Sequence, residues 1–552
     1  MEYYDLGRYG WPITTTSRDA QLWFDRGMAW CYGFNHEEAI VCFERALEHD
    51  PGCAMAHWGV AYAIGPNYNK PWDAFDDDDK RHSLDRALIA SAAAANAAAG
   101  ATEIEQALIG ALAKRYPSSP AEEDFGPWND AYADAMRQVH AAHRDDIDVC
   151  ALFAEAIMNR TPWQLWDLVT GEPAEGADTL EAIEVLETAF RHLDAKGANR
   201  HPGLLHMYIH LMEMSPHPER ALKAGDTLVD LIPDAGHLVH MPTHIDVLCG
   251  HYHNVVARNA AAIVADRKFL DHAGPMNFYS AYRCHNYHFK VYGAMFLGQY
   301  APAMDAAEEM IETLPAALLE TGSPPMADWL EGFVPIKQHV LIRFGKWQEI
   351  VDQALPADQD LYCVTTAMMR YTRAVAFASL NNVEAAEAER AAFLAARDRV
   401  PESRMLFNNT CLDILAVAEA MMTGEVEYRK GDHDAAFAHL RRAVELDDNL
   451  PYDEPWGWMQ PTRHALGALL MEQGKLDEAE AIYRADLGLD GTLRRACQHP
   501  ENVWSLHGLH ECLTRRGETV EAAHIKQRLD LAVARADVPI KASCFCRLER
   551  AA

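Results

Sequence analysis

Histidine is the residue type whose number and placement stand out in this chain. There are 27 histidines among 552 residues, and a single stretch carries many of them at helical spacing. Imidazoles at i, i+3 or i+4, and i+7 lie on one face of a helix and can converge on one point. Helical proteins build metal sites in this way. The candidate ligands are His206, His210, His237, His240, His244, His285 and His288.

These ligand types indicate a transition metal. Imidazole nitrogen suits Zn, Cu, Fe and Ni, whereas Mg and Ca require mostly oxygen ligands. The many imidazoles slightly favour copper or iron, and zinc is possible. Seven histidines allow one metal with a second shell of imidazoles, or two metals side by side. A redox metal would make the protein an oxidoreductase, which is slightly favoured, and zinc would make it a hydrolase or lyase.

Two acidic residues are candidate catalytic groups beside these histidines. Glu213 shares the helical face of His210 and could be a ligand or the general base on a metal-bound water. Glu155 lies one helical turn before Asn159, and the two could add a carboxylate and a polar orienting group.

An internal repeat organises the elements that carry these residues. From Gln460 the sequence reads QPTRHALGALLMEQGKLDEAEAIYRADL, with small and large apolar residues at Leu466, Gly467, Gly474, Leu476, Ala479 and Tyr483. This spacing resembles the tetratricopeptide repeat, a pair of helices of about 34 residues whose small residues let the helices approach closely. Looser copies occur near 20–53, 202–235, 236–267, 284–317, 331–357, 417–448 and 503–534.

The resemblance implies an all-α fold, a tetratricopeptide-type α-solenoid or superhelix of roughly eight to ten helix pairs that encloses a His-lined groove. In this family the first helix of each pair lines the groove, chiefly through positions 2, 5, 9 and 12. Counted from Pro202, Gly236 and Cys284, three consecutive repeats direct the seven histidines and Glu213 into one groove. His339, His464, His507 and Glu511 map to groove positions further along.

The repeat also predicts how the chain is organised. Two loops at 65–79 and 161–176 are rich in Pro, Gly, Asn and Trp, so we expect them to be ordered and to cover another part of the protein.

Cys544 and Cys546 form a Cys-x-Cys that could ligate a soft metal or form a labile disulfide. The predicted segments are a helical region at 1–200 with one clear repeat at 20–53, His-rich repeats at 201–330, further repeats at 331–534, and a tail at 535–552.

Charge and composition exclude several classes of function. The 82 acidic and 49 basic residues leave a net charge of −33, which repels nucleic acid and anionic membrane surfaces. No apolar run reaches the length of a membrane span, and the first residues lack the features of a signal peptide. The cysteines are therefore expected to be thiols in the cytoplasm. Motifs for phosphate loops, serine nucleophiles and dinucleotides do not occur.

Three functions are compatible with these patterns. The segments HPGLLHMYIHLMEMSPHPERAL, GHLVHMPTHIDVLCGHY, GFNHEEAIVCFERAL and SCFC resemble a group of His-rich bacterial and fungal tetratricopeptide-repeat proteins, a resemblance that carries no assigned reaction. The leading hypothesis is a metalloenzyme that acts on a small molecule in the groove. The alternative is a scaffold that docks a peptide or partner protein there without catalysis, although the groove offers few basic residues besides histidine. The third is storage of exchangeable metal ions. The sequence makes no prediction about oligomeric state.

Overall fold

The structure, a computed structural model, describes residues 3–116, 124–198 and 200–548. These residues form helices joined by loops, as the sequence predicts. The two strands found among them make one short antiparallel hairpin, in which Met405–Leu406 pairs with Asn409–Thr410. The prediction of an all-α fold is therefore confirmed.

The helices follow one another in chain order. In the first half of the chain they are α1 Arg18–Tyr32, α2 His36–His49, α3 Ala54–Ile64, α4 Asp77–Ala97, α5 Glu103–Leu112, α6 Gly126–Ala142, α7 Ile147–Met158, α8 Thr179–Lys196, α9 Pro202–Glu213, α10 Leu222–Leu228, α11 Gly236–His240, α12 Pro242–Leu248 and α13 Tyr252–Ala273. In the second half they are α14 Ser280–Leu297, α15 Tyr300–Glu312, α16 Ala316–Leu319, α17 Met326–Leu330, α18 Ile336–Arg343, α19 Trp347–Asp352, α20 Cys363–Ser379, α21 Val383–Arg397, α22 Cys411–Lys430, α23 His433–Asp448, α24 Thr462–Glu472, α25 Leu476–Asp486, α26 Val503–Arg516 and α27 Thr519–Val533. Short 3₁₀ helices occupy Trp72–Ala74, Ala98–Gly100, Pro218–Ala221, Glu331–Phe333 and Arg495–Cys497.

The chain forms two compact units. Unit 1 comprises Met1–Ile245 and Ala261–Arg283, and unit 2 comprises Asp246–Ala260 and Cys284–Ala552. The finer division at residues 200, 330 and 534 stays a prediction. Residues 1–2, 117–123 and 199 of its first segment, and 549–552 of its tail, lie outside the described residues.

Helices within each unit pack as the repeat requires. In unit 1, α1 packs on α2 and α3 on α4, and in unit 2 the pairs include α20 with α21, α22 with α23, α24 with α25 and α26 with α27. The first helices of successive pairs also contact one another. In unit 1, α7 contacts α9, and in unit 2, α20 contacts α22. Each unit therefore has a face built from first helices, which is where the repeat places its groove.

Glycines at the repeat positions explain how closely these helices approach. In unit 2 a Cβ on Gly467 would lie 2.6 Å from Cζ of Tyr483, and in unit 1 a Cβ on Gly59 would lie 2.6 Å from Cδ1 of Phe43. Both aromatic rings are fully buried. A large side chain of one helix thus fills the space that a missing Cβ leaves on another.

Local signals fix the ends of several helices in unit 1. The Asn35 side chain caps α2 by accepting from the backbone N–H of Glu38, and Thr102 forms a capping box with Glu105 at the start of α5. Helices α3 to α8 lie within the segment at 1–200 for which the sequence predicts helices. Among the described residues, none of the helices combines the length and apolar composition that a membrane span requires.

Candidate metal centre

Helix α9 of unit 1 carries the first three predicted site residues. His206, His210 and Glu213 follow one another at intervals of four and three residues, so they share one helical face. All twelve residues of the helix are buried. Its start is fixed by His201, whose Nδ1 accepts from the backbone N–H of Leu204 at 3.2 Å. The helix is therefore an internal element that presents its polar face to other parts of unit 1.

His206 has a defined tautomer because of its partner. Its Nδ1 lies 2.6 Å from the backbone oxygen of Tyr32. A carbonyl oxygen only accepts, so Nδ1 carries the proton and Nε2 carries a lone pair. This Nε2 is buried and has no hydrogen-bond partner among the described residues. Metal-bound histidines typically donate their other N–H to a carbonyl or carboxylate, which is the arrangement here.

Glu213 fixes two further imidazoles. Its Oε1 lies 3.0 Å from Nδ1 of His210 and its Oε2 lies 2.7 Å from Nδ1 of His244. All three side chains are fully buried. A carboxylate that accepts both N–H groups leaves a lone pair on each Nε2. Nε2 of His210, like that of His206, has no hydrogen-bond partner in the part of the chain that the structure describes.

His240 and His244 face each other through their Nε2 atoms, which are 2.9 Å apart. The Thr243 hydroxyl donates to the backbone oxygen of His240 at 2.8 Å, and its oxygen lies 3.3 Å from Nδ1 of His240. Nδ1 of His240 is therefore the donor in that contact, so its Nε2 also carries a lone pair. Two facing lone pairs repel unless a cation or a proton lies between them.

The backbone between these two histidines departs from the predicted register. A single helix starting at Gly236 was expected to carry His237, His240 and His244. The structure instead has two short helices, α11 and α12, and α12 begins at Pro242. A proline suits the first turn of a helix but not its interior, which explains the interruption.

Burial keeps the imidazoles of His206 and His210 neutral. Loss of hydration lowers the pKa of His206 and of His210 well below the usual range, and a neighbouring imidazole lowers each further. Neutral imidazole is the form that binds metals. Two groups in unit 1 have all their ligand atoms within 4.8 Å of one another, namely His206, His210 and His237, and His210, Glu213 and His244. His210 belongs to both.

Aromatic side chains from loops and turns enclose the cluster. The ring of Tyr68 lies 4.8 Å from that of His210, the ring of Trp163 lies 5.6 Å from it, and the ring of Phe34 lies 4.4 Å from that of His206. The backbone N–H of Trp163 donates to the hydroxyl of Tyr68 at 3.1 Å, which joins the two loops. The prediction that the loops at 65–79 and 161–176 cover something is confirmed, because both contact His210.

Glu155 lies in a different polar cluster of unit 1. Its carboxylate accepts from the hydroxyl of Tyr62 and, at 3.1 Å, from the amide of Asn159, as the predicted pairing of these residues requires. Burial raises the pKa of Glu155, while the Arg115 guanidinium counteracts that rise. Among the described residues it joins no group of histidines and carboxylates that could share an ion. Its catalytic role stays a prediction.

His285 and His288 belong to unit 2. The ring of His285 contacts Phe289 and Phe407, with centroids 5.0 and 4.7 Å apart, and that of His288 contacts Phe333 at 5.4 Å. Burial lowers the pKa of His288 to about 3. The prediction that all seven histidines share one centre is untested for these two residues.

Several site contributors could not be found from the sequence. The Tyr32 carbonyl has no side-chain signature, and Tyr68 and Phe34 read as ordinary loop and turn aromatics. Phe34 has a φ of +55°, a conformation uncommon outside glycine and asparagine. The GFNHEEA segment around it is recognisable only as a turn between two repeat helices.

The fold and the site together define a helical-repeat protein with a buried cluster of oriented imidazoles. Residues 20–53 match the family model of the tetratricopeptide repeat, which identifies the type of repeat. The predicted recognition of this repeat is therefore confirmed. No curated protein matches the chain.

Solved structures resemble the chain distantly. The complex of Naa15 and Naa10 bound to HypK-THB aligns with 93% of this chain and 70% of the matched chain, at 12% identity and a TM-score of 0.22. The yeast Tom70 structure aligns with 94% of this chain and 98% of its own, at 11% identity and a TM-score of 0.28. Since these scores are low, the type of fold rests on the chain's own helices and on the repeat match.

Proposed function

We propose that unit 1 binds a transition-metal ion through Nε2 atoms of its buried histidines. The observation that carries this proposal is the orientation of His206 and His210. Each ring has its Nδ1–H engaged by an oxygen and its Nε2 buried without a hydrogen-bond partner in the described chain. Leaving such an acceptor buried costs about 1–3 kcal/mol, so a ligand for it is expected.

His244, His237 and His240 complete the proposed ligand pool. Metal–imidazole bonds are about 2.0–2.1 Å long, so two nitrogens on one ion lie about 3.0–3.4 Å apart. The 2.9 Å between Nε2 of His240 and Nε2 of His244 is close to that spacing. Because His210 belongs to two ligand groups, one ion or two adjacent ions are compatible with the cluster.

Glu213 is proposed as a positioning residue. Both of its carboxylate oxygens already accept N–H groups, which fixes the tautomers of His210 and His244. This role differs from the ligand or general-base roles that the sequence suggests. A carboxylate behind an imidazole also raises the basicity of that ligand.

The metal is proposed to serve chemistry on a small molecule. The absence of thiolates from the ligand pool and the surplus of imidazoles slightly favour copper or iron, hence an oxidoreductase, over zinc and a hydrolase or lyase. Glu155 stays a candidate catalytic group, and burial raises its pKa. The cytoplasm is the proposed compartment, because ten of the twelve cysteines are thiols, and Cys544 and Cys546 are the exception.

Elemental analysis of protein purified without a histidine tag tests the metal proposal. We expect at least about one equivalent of a transition metal, and loss of most of it in the His206→Ala, His210→Ala double variant. His217→Ala is the matched control, because this nearby histidine is exposed. Less than about a tenth of an equivalent in the native chain, with no uptake on reconstitution, would refute the proposal.

The second candidate function is a scaffold for a peptide or partner protein. The match of residues 20–53 to the tetratricopeptide repeat favours it, since repeat stacks create extended binding surfaces. Affinity purification with the native chain and the double histidine variant separates the two functions. A scaffold would retain a stoichiometric partner in both and contain no metal in either.

A further inference from the structure

A segment of unit 2 lies in the groove formed by first helices of its own repeat. Residues 541–548, with the sequence Lys-Ala-Ser-Cys-Phe-Cys-Arg-Leu, follow α27. They contact side chains of α18, α22 and α26 and the backbone of α24. Ser543, Phe545 and Arg547 provide three successive anchors. Two of the residues they meet, His464 and Glu511, are groove positions predicted from the repeat register.

The first anchor is a buried polar contact at Ser543. Its hydroxyl donates to the backbone oxygen of His464 at 2.8 Å and lies 2.6 Å from the hydroxyl of Tyr483. Its backbone oxygen accepts from the guanidinium of Arg343. All four residues are buried, so removing the segment would leave several polar groups of the groove without partners.

The groove side of this anchor is held in place by its own contacts. Nη1 of Arg343 donates to Nδ1 of His464 at 2.9 Å, and Nε2 of His464 donates to Asp486 at 3.0 Å. The guanidinium also lies 3.9 Å from the ring of Trp504. These three contacts are made within the groove itself, and the same Arg343 and His464 also bind Ser543 of the segment.

The second anchor is the ring of Phe545. It lies 6.0 Å from Trp504 in an edge-on arrangement. Its Cβ occupies the space beside Gly345, where an added Cβ would lie 2.9 Å away. Gly345 has a φ of +64°, so glycine is favoured here both by the backbone turn and by the close approach of Phe545.

The third anchor is an ion pair at Arg547. Its two terminal nitrogens contact the two oxygens of Glu511 at 2.7 and 2.9 Å. Such bidentate pairs fix orientation as well as charge. Between the anchors, the guanidinium of Arg429 donates to the backbone oxygen of Cys546, and the sulfurs of Cys544 and Cys546 are joined in a disulfide.

We infer that this groove of unit 2 is a peptide-binding site that segment 541–548 occupies as an internal ligand. The site recognises a small hydroxyl residue, an aromatic residue two positions later and an arginine two positions after that. A partner peptide of the same chemistry binds there by displacing the segment. The inference concerns unit 2 alone and does not depend on a metal in unit 1.

The test uses the full chain and a fluorescent synthetic peptide of residues 540–548 with its cysteines oxidised. In the native chain the internal segment competes, so peptide binding should be weak. Arg547→Glu weakens the competitor, and the variant should bind the peptide at least about tenfold more tightly. Arg528→Glu is the matched control, because this partly exposed arginine pairs with Glu501 and not with the segment, and the variant should bind as weakly as the native chain.

Reversing the charge at residue 511 tests whether the peptide binds in this groove. Glu511→Arg alone repels its own Arg547, so this variant should not bind the native peptide and should bind a peptide that carries glutamate in place of its arginine. Adding Arg547→Glu restores an internal ion pair and should make binding of the glutamate peptide weak again. Absence of binding by a folded Arg547→Glu chain, or binding that ignores the charge at residue 511, would overturn the inference. Hydrogen exchange of amides 541–548 should accelerate when the peptide binds, and a lack of acceleration would overturn displacement. Metal content measured on the same samples keeps this outcome separate from that of the metal proposal.

Discussion

Individual residues determine whether the buried histidines act as ligands. Glu213 is decisive, because its carboxylate accepts a hydrogen bond from the Nδ1–H of each of two imidazoles, which leaves a lone pair on each Nε2. The Tyr32 carbonyl does the same for His206. Ligand geometry in unit 1 thus depends as much on oxygens behind the rings as on the rings themselves.

Replacement of Glu213 by Gln should weaken metal binding about 10- to 100-fold. The amide offers one acceptor and one donor, so His210 or His244 must change tautomer and lose its Nε2 lone pair. Competition with a chelator measures the effect, and circular dichroism should show unchanged helicity. An affinity equal to that of the native chain would mean that Glu213 does not position the ligands.

Glu425 of unit 2 should make stability depend on pH. Burial raises its pKa to about 7, and Arg429 only partly offsets that rise. The unfolded chain releases this proton near pH 4.5, whereas the folded chain keeps it to about pH 7. The contribution of Glu425 is therefore fully present below about pH 4.5 and is lost as pH rises through 7.

Thermal melts of the native chain and of Glu425→Gln across this range isolate the effect. Relative to the variant, the native chain should lose on the order of 1–3 kcal/mol between pH 4.5 and 7.5. Parallel profiles for the two proteins would contradict the assigned burial of the ionised form.

At the scale of the helices, close packing depends on glycines, whose missing Cβ leaves space for a neighbouring side chain. Gly59→Ala should destabilise unit 1 by about 1–3 kcal/mol, because the new Cβ overlaps the Phe43 ring. Gly110→Ala is the control, since nothing lies within 4 Å of that Cβ position inside α5, and it should stabilise by about 0.5–1 kcal/mol. Denaturant unfolding measures both, and equal effects would contradict the packing described.

The loop that carries Tyr68 should slow exchange of the proposed metal. Its ring lies against His210, so Tyr68→Ala opens the cluster to water and should speed metal loss to a chelator several-fold. Val169→Ala, in the second loop but 76% exposed, should leave the rate unchanged. If both variants lose metal at the native rate, the loops do not control access.

At the scale of the whole molecule, the sequence predicts most of the fold and much of the histidine cluster of unit 1. Periodicity and small residues such as Gly467 identify the helix pairs, because closely packed helices require small residues at the positions where they touch. Spacing identifies His206 and His210, since a helical face has a fixed period. Three features could not be predicted from a local sequence pattern, because they depend on tertiary packing. They are the helix break before Pro242, the contact of His206 with the Tyr32 carbonyl, and the bridging of two imidazoles by Glu213.

The overall charge of −33 suits a protein that concentrates metal cations. Binding that favours the folded state also stabilises it, by about 2.7 kcal/mol at a ligand concentration 100 times Kd. Removal of metal with a chelator should therefore lower the melting temperature of the native chain. The His206→Ala, His210→Ala variant should show no such shift, and an equal shift in both would place the stabilising ion elsewhere.

X-ray absorption spectroscopy of the metal-loaded native chain tests the central claim most directly. The account predicts nitrogen neighbours at about 2.0–2.1 Å with the outer scattering of imidazole rings, and loss of that signal in the His206→Ala, His210→Ala variant. A spectrum dominated by sulfur, or an imidazole signal that persists in the variant, would contradict it.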